Sequence, residues 1–206
     1  MQLHTWLAFF AAAWIISLSP GAGAISCMSA GMRYGYRKGL WNILGLQTGI
    51  LLLVVIVAMG LGAILAASAL AFSLIKWFGV AYLVWLGIQQ WRAEAKPMEV
   101  SAEDARSPRQ LFVQGFLVNA SNPKGIIFML AVLPQFIDPQ APQFVQYAIC
   151  TGTLFFTDAV VMSGYTLLAA RVLSALREPA HIRRLNLTFG GLFVGAGLLL
   201  AGFKRS

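Results

Sequence analysis

The chain has 206 residues, of which 59% are hydrophobic and only 11% are charged. A soluble domain of this length usually carries about a quarter charged residues, so the composition excludes a water-soluble globule and a disordered or fibrous chain. The net charge of +8 does not indicate nucleic-acid binding, because no basic patch alternates with aromatic residues.

Six apolar stretches follow one another along the chain, and each is long enough for a helix that crosses a bilayer, which takes roughly 20 residues. They cover about Thr5–Ala30, Asn42–Ala67, Phe72–Trp91, Leu111–Ile137, Phe144–Ala170 and Leu185–Phe203. None shows the alternation of a barrel strand, so helices are predicted. The sequence therefore predicts an all-α membrane protein with six transmembrane helices in a single transmembrane domain, residues 1–206.

Basic residues concentrate in every second connection between these stretches. Eleven of the fifteen occur there: Arg33, Arg37, Lys38, Arg92, Lys96, Arg106, Arg109, Arg171, Arg177, Arg183 and Arg184. Basic loops stay in the cytoplasm, so we expect a multi-pass inner-membrane protein of bacterial type with both termini outside. Lys204 and Arg205 are minor exceptions. The longest polar connection, about 92–110, is expected to be a plain cytoplasmic linker.

Helix-breaking patches interrupt the first and fourth stretches, at Ser19-Pro20-Gly21-Ala22-Gly23 and at Asn122-Pro123-Lys124-Gly125. Pro20 and Pro123 lie 103 positions apart, and Thr48-Gly49 matches Thr151-Gly152 at the same offset. With a slightly longer offset, Phe78-Gly79 matches Phe189-Gly190. These matches predict two three-helix repeats, about 1–91 and about 111–206. An odd number of helices gives the repeats opposite orientations, and broken helices paired near the midplane are typical of transporter binding sites.

Asp158 is the one acidic residue inside any of the six stretches. A carboxylate in the membrane is costly unless it is protonated, paired or hydrated. Its depth of about 14 residues places it near the midplane. We expect Asp158 to carry the coupling proton; the alternative is a static ion pair that fixes packing.

Polar residues at the second break are candidate substrate ligands. Lys124 is the one basic residue deep in the membrane, and it has three open roles: pairing with Asp158, receiving a substrate carboxylate, or extending to a polar cavity. Asn119 and Asn122 lie three residues apart on one helix face. They can bind a substrate ammonium, carbonyl or hydroxyl group, or they can form interhelical hydrogen bonds.

At the first break, the half-helix after Pro20 presents free N–H groups and a positive dipole end, which suit a substrate carboxylate. Gly21 and Gly23 leave backbone groups there without helical partners. Gln47 is a candidate polar liner from the second stretch, as is Tyr165 from the fifth. For these side chains a packing role is the competing interpretation.

The combination of motifs resembles the lysine-exporter superfamily, in its resistance-to-homoserine/threonine branch. The motifs are Ser17-Leu18-Ser19-Pro20-Gly21, Gly35-Tyr36-Arg37, Gly45-Leu46-Gln47-Thr48-Gly49, Lys76-Trp77, 81–91, Asn122-Pro123-Lys124, Pro134-Gln135-Phe136-Ile137, Asp158 and Gly164-Tyr165. The resemblance implies proton-driven export of homoserine, its lactone, threonine or a similar neutral amino acid from the cytoplasm. Many members have Pro-Gly-Pro at the first break, where this chain has Pro20-Gly21-Ala22.

The leading hypothesis is thus a proton-coupled exporter that works by alternating access, with no cofactor other than the proton and no bound metal. We expect no enzymatic activity, because the sequence carries no nucleophile–base set or phosphate loop. Its partners would be a small amino acid, the lipid bilayer and a second copy of the chain in a homodimer, but no nucleic acid. The alternatives are a thiol–disulfide electron carrier that uses Cys27 and Cys150, and a passive facilitator.

Overall fold

The computed structural model describes residues 1–67, 69–92, 106–169 and 178–202, and every regular element in these ranges is helical. The helices are α1 (Leu3–Leu18), α2 (Ala22–Ala67), α3 (Ala69–Arg92), α4 (Pro108–Ala120), α5 (Pro123–Ile127), α6 (Gln143–Leu167) and α7 (Pro179–Gly202). This confirms the all-α prediction. Most of the expected linker, 93–105, lies outside the described residues, as do Arg171, Arg177, Lys204 and Arg205.

The first and second apolar stretches share the long helix α2, which bends at one residue. Gly35 has φ 75° and ψ 169° and divides α2 into a first arm, 22–34, and a second arm, 36–67. No atom lies within 4 Å of the place where a Cβ would be, so a glycine is favoured here by its positive φ and not by lack of space. The predicted loop between the first two stretches is therefore a single-residue kink.

Both predicted helix breaks are present. Ser19 and Asn122, the residues before the two prolines, are extended, with ψ of 115° and 109°. A proline disfavours the helical conformation in the residue that precedes it, so α1 ends at Leu18 and α4 ends at Ala120. At the second break the Asn122 side chain caps α5 by accepting from the Lys124 backbone N–H, and Pro123 takes the first helical position, where no N–H is needed.

Length and composition mark several segments of the described residues as able to cross a membrane. Two do so alone, Ala22–Gly60 and Gln143–Leu167. Helix α4 and the segment Lys124–Phe136, bent by 54° at the break, together make a third. Beyond α5 this segment widens into a π-helical turn at Phe128–Val132 and then tightens into a 3₁₀ turn at Leu133–Phe136. The count of six spans stays a prediction.

Helix α4 packs against the second arm of α2 through interlocking glycines. A Cβ on Gly45 would overlap the Phe112 carbonyl, and a Cβ on Gly115 would overlap the Asn42 carbonyl. Farther along both helices, Gly49 lies against Asn119. Contacts therefore advance together along the two helices, so the second arm of α2 and α4 run in the same direction at close range.

Helices α1 and α6 also run in the same direction. Near the start of α1 the Trp6 indole N–H donates to Thr153 Oγ1, in the first half of α6, at 3.1 Å. Near their ends the Tyr165 hydroxyl donates to the Leu18 carbonyl at 2.8 Å. These two bonds hold α6 along the full length of α1.

Helices α3 and α7 run in opposite directions and meet at a pair of glycines. A Cβ on Gly87 would come within 2.7 Å of the Gly190 carbonyl oxygen, and one on Gly190 within 2.8 Å of the Gly87 carbonyl oxygen. Gly87 also faces Val194, and Gly190 faces Trp91. Contacts that advance on α3 therefore recede on α7, which makes the pair antiparallel.

Two apolar clusters form the core. We call the first the Phe9 cluster, which includes Phe9, Leu53, Val57, Phe128, Leu133 and Phe136. We call the second the Cys27 cluster, which includes Ala24, Cys27, Met28, Leu46, Val161 and Met162. Both helix breaks lie between them, so the two clusters frame the candidate site.

Candidate functional site

A cavity of about 60 Å³ lies between the two helix breaks. On the same measure a single water needs roughly 10–15 Å³, so the cavity has room for a small molecule. Its polar or backbone lining is Ser17, Ser19, Gly21, Gly23, Asn119, Asn122, Lys124, Gly125 and Asp158. Its apolar lining is Ile16, Ala24, Leu46, Ile50, Leu53, Phe128, Met129, Leu154 and Met162. Six of the eight residues predicted for the site thus share one cavity; Pro20 and Gln47 are not in its wall.

Lys124 joins the two breaks. It begins at the second break, and its Nζ donates to the carbonyl oxygens of Ser19 at 2.7 Å and Ile16 at 3.1 Å. These carbonyls belong to the C-terminal end of α1, where a helix leaves acceptors unpaired and where a cation is favourable. No ion pair joins Lys124 to Asp158 in the part of the chain that the structure describes, so the first of its three open roles does not occur in this conformation.

Asp158 presents one carboxylate oxygen to the cavity. Its Oδ2 accepts from Gln47 Nε2 at 2.7 Å, whereas Oδ1 has no hydrogen-bond partner within the described ranges. The side chain is partly buried and lies on the cavity wall. Asp158 is therefore held at one oxygen and free at the other.

Of the two interpretations left open for Gln47, a polar liner or a packing role, the structure shows the packing role: the side chain is buried behind Asp158 and its amide N–H donates to the carboxylate. Its Oε1 is buried and has no hydrogen-bond partner among the described residues. Gln47 thus orients the acidic group and does not face the cavity.

The structure shows the interhelical role for Asn119 and a local helix cap for Asn122, while substrate binding by either stays a prediction. Asn119 donates from Nδ2 to the Leu46 carbonyl at 2.7 Å, which is an interhelical bond between α4 and α2. Asn122 Oδ1 accepts from the backbone of Lys124 at 3.1 Å. Each keeps one amide atom, Asn119 Oδ1 and Asn122 Nδ2, without a partner in the described part of the chain, and both residues line the cavity.

Sequence reasoning missed the supports around the end of α1. Ser17 lines the cavity and its hydroxyl lies 3.3 Å from that of Thr157, one residue before Asp158. Tyr165, considered as a liner, is absent from the cavity wall and instead donates to the Leu18 carbonyl. The motif Ser17-Leu18-Ser19-Pro20-Gly21 is the signal in the sequence that could have identified Ser17.

The two cysteines are free thiols in separate clusters. Cys27 belongs to the Cys27 cluster, where its thiol donates to Asn42 Oδ1 at 3.4 Å. Cys150 belongs to the Phe9 cluster. This arrangement gives no support to the thiol–disulfide alternative.

Comparison with known proteins places the whole chain in one group. Residues 14–202 match the family described as LysE type translocator. A protein of Salmonella typhimurium named homoserine/homoserine lactone efflux protein is 43% identical over 206 residues, which is all of both chains. A Vibrio cholerae protein named only as a membrane protein is 45% identical over 99% of this chain and 100% of its own.

A leucine efflux protein of an Enterobacter species is 26% identical over 97% of this chain and 95% of its own. No solved structure matches the chain. The family resemblance inferred from the sequence motifs is confirmed by these matches, and with it the membrane class and the expectation of a transport protein instead of an enzyme.

Proposed function

Because the chain belongs to the LysE type translocators, we propose that it exports small neutral amino acids from the cytoplasm in exchange for protons. Homoserine, homoserine lactone and threonine are the first candidates for its cargo. The observation that carries the proposal is the cavity between the two helix breaks, whose wall, as far as the structure describes it, holds one ammonium group, Lys124, and one carboxyl group, Asp158. An amino acid carries the complementary pair of charges.

The proposed architecture is six spans in two inverted repeats. Three packing directions support it, since spans that alternate in direction make the second and fourth parallel, the first and fifth parallel, and the third and sixth antiparallel. The pairs α2–α4, α1–α6 and α3–α7 have these directions.

The contact between α3 and α7 adds a second argument for the repeat. Gly87 and Gly190 lie 103 positions apart, the same offset as Pro20 and Pro123, and so do Trp91 and Val194. When each residue is replaced by its counterpart at that offset, the contact Gly87–Val194 becomes the contact Gly190–Trp91. Reciprocal contacts of this kind are expected where two related halves meet at their symmetry axis.

The substrate carboxylate is proposed to bind at Lys124 and at the first turn of α2. Lys124 Nζ has donated two of its three hydrogens to α1 carbonyls, so one remains. Gly21, Gly23 and Ala24 bring the N-terminal end of α2 into the wall, where the helix dipole favours negative charge. Asp158 is proposed to carry the proton that returns as the cargo leaves, since a partly buried carboxyl group is suited to reversible protonation.

Alternating access requires closure on either side of this cavity. The Phe9 cluster and the Cys27 cluster border it on opposite ends of the helices, and each contributes residues to its wall. We propose that these clusters are the two gates. We also propose that the basic loops lie in the cytoplasm and both termini outside, in a bacterial inner membrane.

A homodimer is part of the proposal. Gly191 and Gly195 of α7 have open space where a Cβ would lie, in contrast to Gly190, which is packed against α3. Small residues on an open helix face allow a second membrane helix to approach closely.

The experiment is uptake of labelled homoserine into inverted membrane vesicles with an acidic lumen. We expect accumulation against the homoserine gradient with the wild-type chain and with Asp138→Asn, whose carboxylate lies in an exposed loop. Asp158→Asn should lose accumulation while reaching the membrane in equal amounts. Movement that ignores the pH gradient would show a passive facilitator, and accumulation by Asp158→Asn would remove Asp158 from the coupling.

A further inference from the structure

Asp158 has the geometry of a ligand-binding group as well as that of a proton carrier. Gln47 holds Oδ2 at 2.7 Å, and Oδ1 has no hydrogen-bond partner among the described residues, although the side chain lies on the cavity wall. Within the described ranges, no other carboxylate belongs to that wall. The cavity therefore offers one anionic acceptor, oriented from behind and open in front.

Other charged groups do not satisfy this carboxylate. The titratable groups that face Asp158 from the helices packed on it, among the described residues, are Lys124 of α5 and the thiol of Cys27 in α2. Lys124 directs its ammonium at the carbonyls of Ile16 and Ser19. Cys27 directs its thiol at Asn42. Lys124 therefore acts on Asp158 only across the cavity, and the carboxylate keeps one oxygen open to a directly bound positive group.

We propose that the Asp158 carboxylate binds the α-ammonium group of the cargo, so that cargo and proton compete for the same oxygen atoms. This inference rests on the proposed function. Asn119 Oδ1, a second wall acceptor without a partner in the described residues, can take another N–H of the ammonium group. The site selects a primary α-amine, and the free carboxylate of the cargo contributes less to its recognition.

Such a site accounts for a cargo class that includes both homoserine and its lactone. The two molecules share the α-ammonium group, but only homoserine has a free carboxylate. A site built on carboxylate recognition alone would reject the lactone. A site built on Asp158 accepts both, and rejects an amino acid whose amine is acylated, because such a molecule has no charge to replace the proton.

The test is equilibrium binding of labelled homoserine to the purified full-length protein in lipid nanodiscs, with two unlabelled competitors. Homoserine lactone keeps the amine and lacks the carboxylate; N-acetylhomoserine keeps the carboxylate and lacks the charged amine. We expect the lactone to compete within about tenfold of homoserine, and N-acetylhomoserine to be weaker on the order of 100-fold, since it leaves a buried charge unpaired. This comparison uses the wild-type protein alone, so it does not depend on how a variant folds.

Asp158→Asn and its control Asp138→Asn add a second readout. Between pH 7 and pH 5 the apparent Kd of homoserine should rise by up to about tenfold per pH unit in the wild type and in Asp138→Asn, because a proton displaces the cargo. Asp158→Asn should bind weakly at both pH values with no such rise. Equal competition by N-acetylhomoserine and homoserine, or a wild-type affinity and pH profile in Asp158→Asn, would overturn the inference.

Failure of the inference and failure of the proposed function give different results. Gradient-driven export of homoserine together with strong binding of N-acetylhomoserine overturns only the role of the amine. If homoserine does not bind, the measurement is repeated with labelled leucine; binding of leucine that its methyl ester competes away overturns the cargo and keeps the amine site. Absence of binding by every free α-amine in the panel overturns both.

Discussion

The two helix breaks have similar backbones and different chemistry. In each, an extended residue precedes a proline and a new helix starts beside the cavity. At the offset of 103 residues, Gly21 of the first break corresponds to Lys124 of the second. A Cβ on Gly21 would lie 3.4 Å from Lys124 Nζ. The first break therefore leaves space at Gly21, and the side chain of Lys124 from the second break extends into that space.

This difference gives the two breaks unequal parts in the site. The lysine from the second break completes the C-terminal end of α1, so the first break depends on a side chain more than 100 residues away. No side chain of the first break caps α1 or α2 in the same way within the described residues. Substitutions at the second break are thus expected to reduce export and stability more than matched substitutions at the first break.

Among changes at the two breaks, the largest effect is expected from Lys124→Met, which keeps an unbranched side chain of similar length and removes its charge. It leaves the Ser19 and Ile16 carbonyls without their donor. A hydrogen bond to a charged group contributes about 1.5–3 kcal/mol, so homoserine export should fall on the order of 10- to 100-fold. Initial rates in vesicles with matched protein amounts measure this. Lys124→Arg should keep more activity, and equal loss in both variants would mean that size and not charge is what matters.

An intermediate effect is expected from filling the space at the first break. Gly21→Leu should displace Lys124 Nζ from at least one carbonyl and reduce export by roughly tenfold, whereas Gly21→Ala, with its Cβ at 3.4 Å, should stay within about twofold. Gly152→Leu is the matched control, because Gly152 has open space where a Cβ would lie. If Gly21→Leu transports as well as this control, the two breaks do not depend on each other.

A smaller effect separates the two residues that precede the prolines. Asn122→Ala removes the cap of α5 and should lower the free energy of unfolding by about 1 kcal/mol. Ser19→Ala, at the equivalent position, removes no cap and should cost only a few tenths. Thermal unfolding followed by tryptophan fluorescence compares the two. A larger loss in Ser19→Ala would contradict the asymmetry described here.

The breaks were predictable from the sequence because their causes are local. Proline restricts its own nitrogen and the residue before it, wherever the helix packs. Counting residues along an apolar stretch put Asp158 at the level of the two breaks, and the structure shows it in the same cavity as residues from both. The glycine contacts between α3 and α7 were harder to predict. The sequence pairs Phe78-Gly79 with Phe189-Gly190, whereas the structure brings Gly190 against Gly87.

Partners of the polar side chains could not be predicted in the same way. Gln47 and Asp158 are 111 residues apart, and their contact depends on the rotation and depth of two helices that meet only in the folded chain. Lys124 had three chemically reasonable partners, and the choice of the α1 carbonyls is set by how closely Gly21 lets it approach. Composition and spacing carry no information on helix rotation at this scale.

The central claim is that the cargo and a proton move in opposite directions through this cavity. Its most direct test is the luminal pH of proteoliposomes loaded with homoserine, with K⁺ and valinomycin present to clamp the membrane potential. As homoserine leaves, the lumen should acidify with the wild-type chain and with Asp138→Asn, but not with Asp158→Asn. Homoserine efflux from wild-type vesicles without any change in luminal pH would contradict the account.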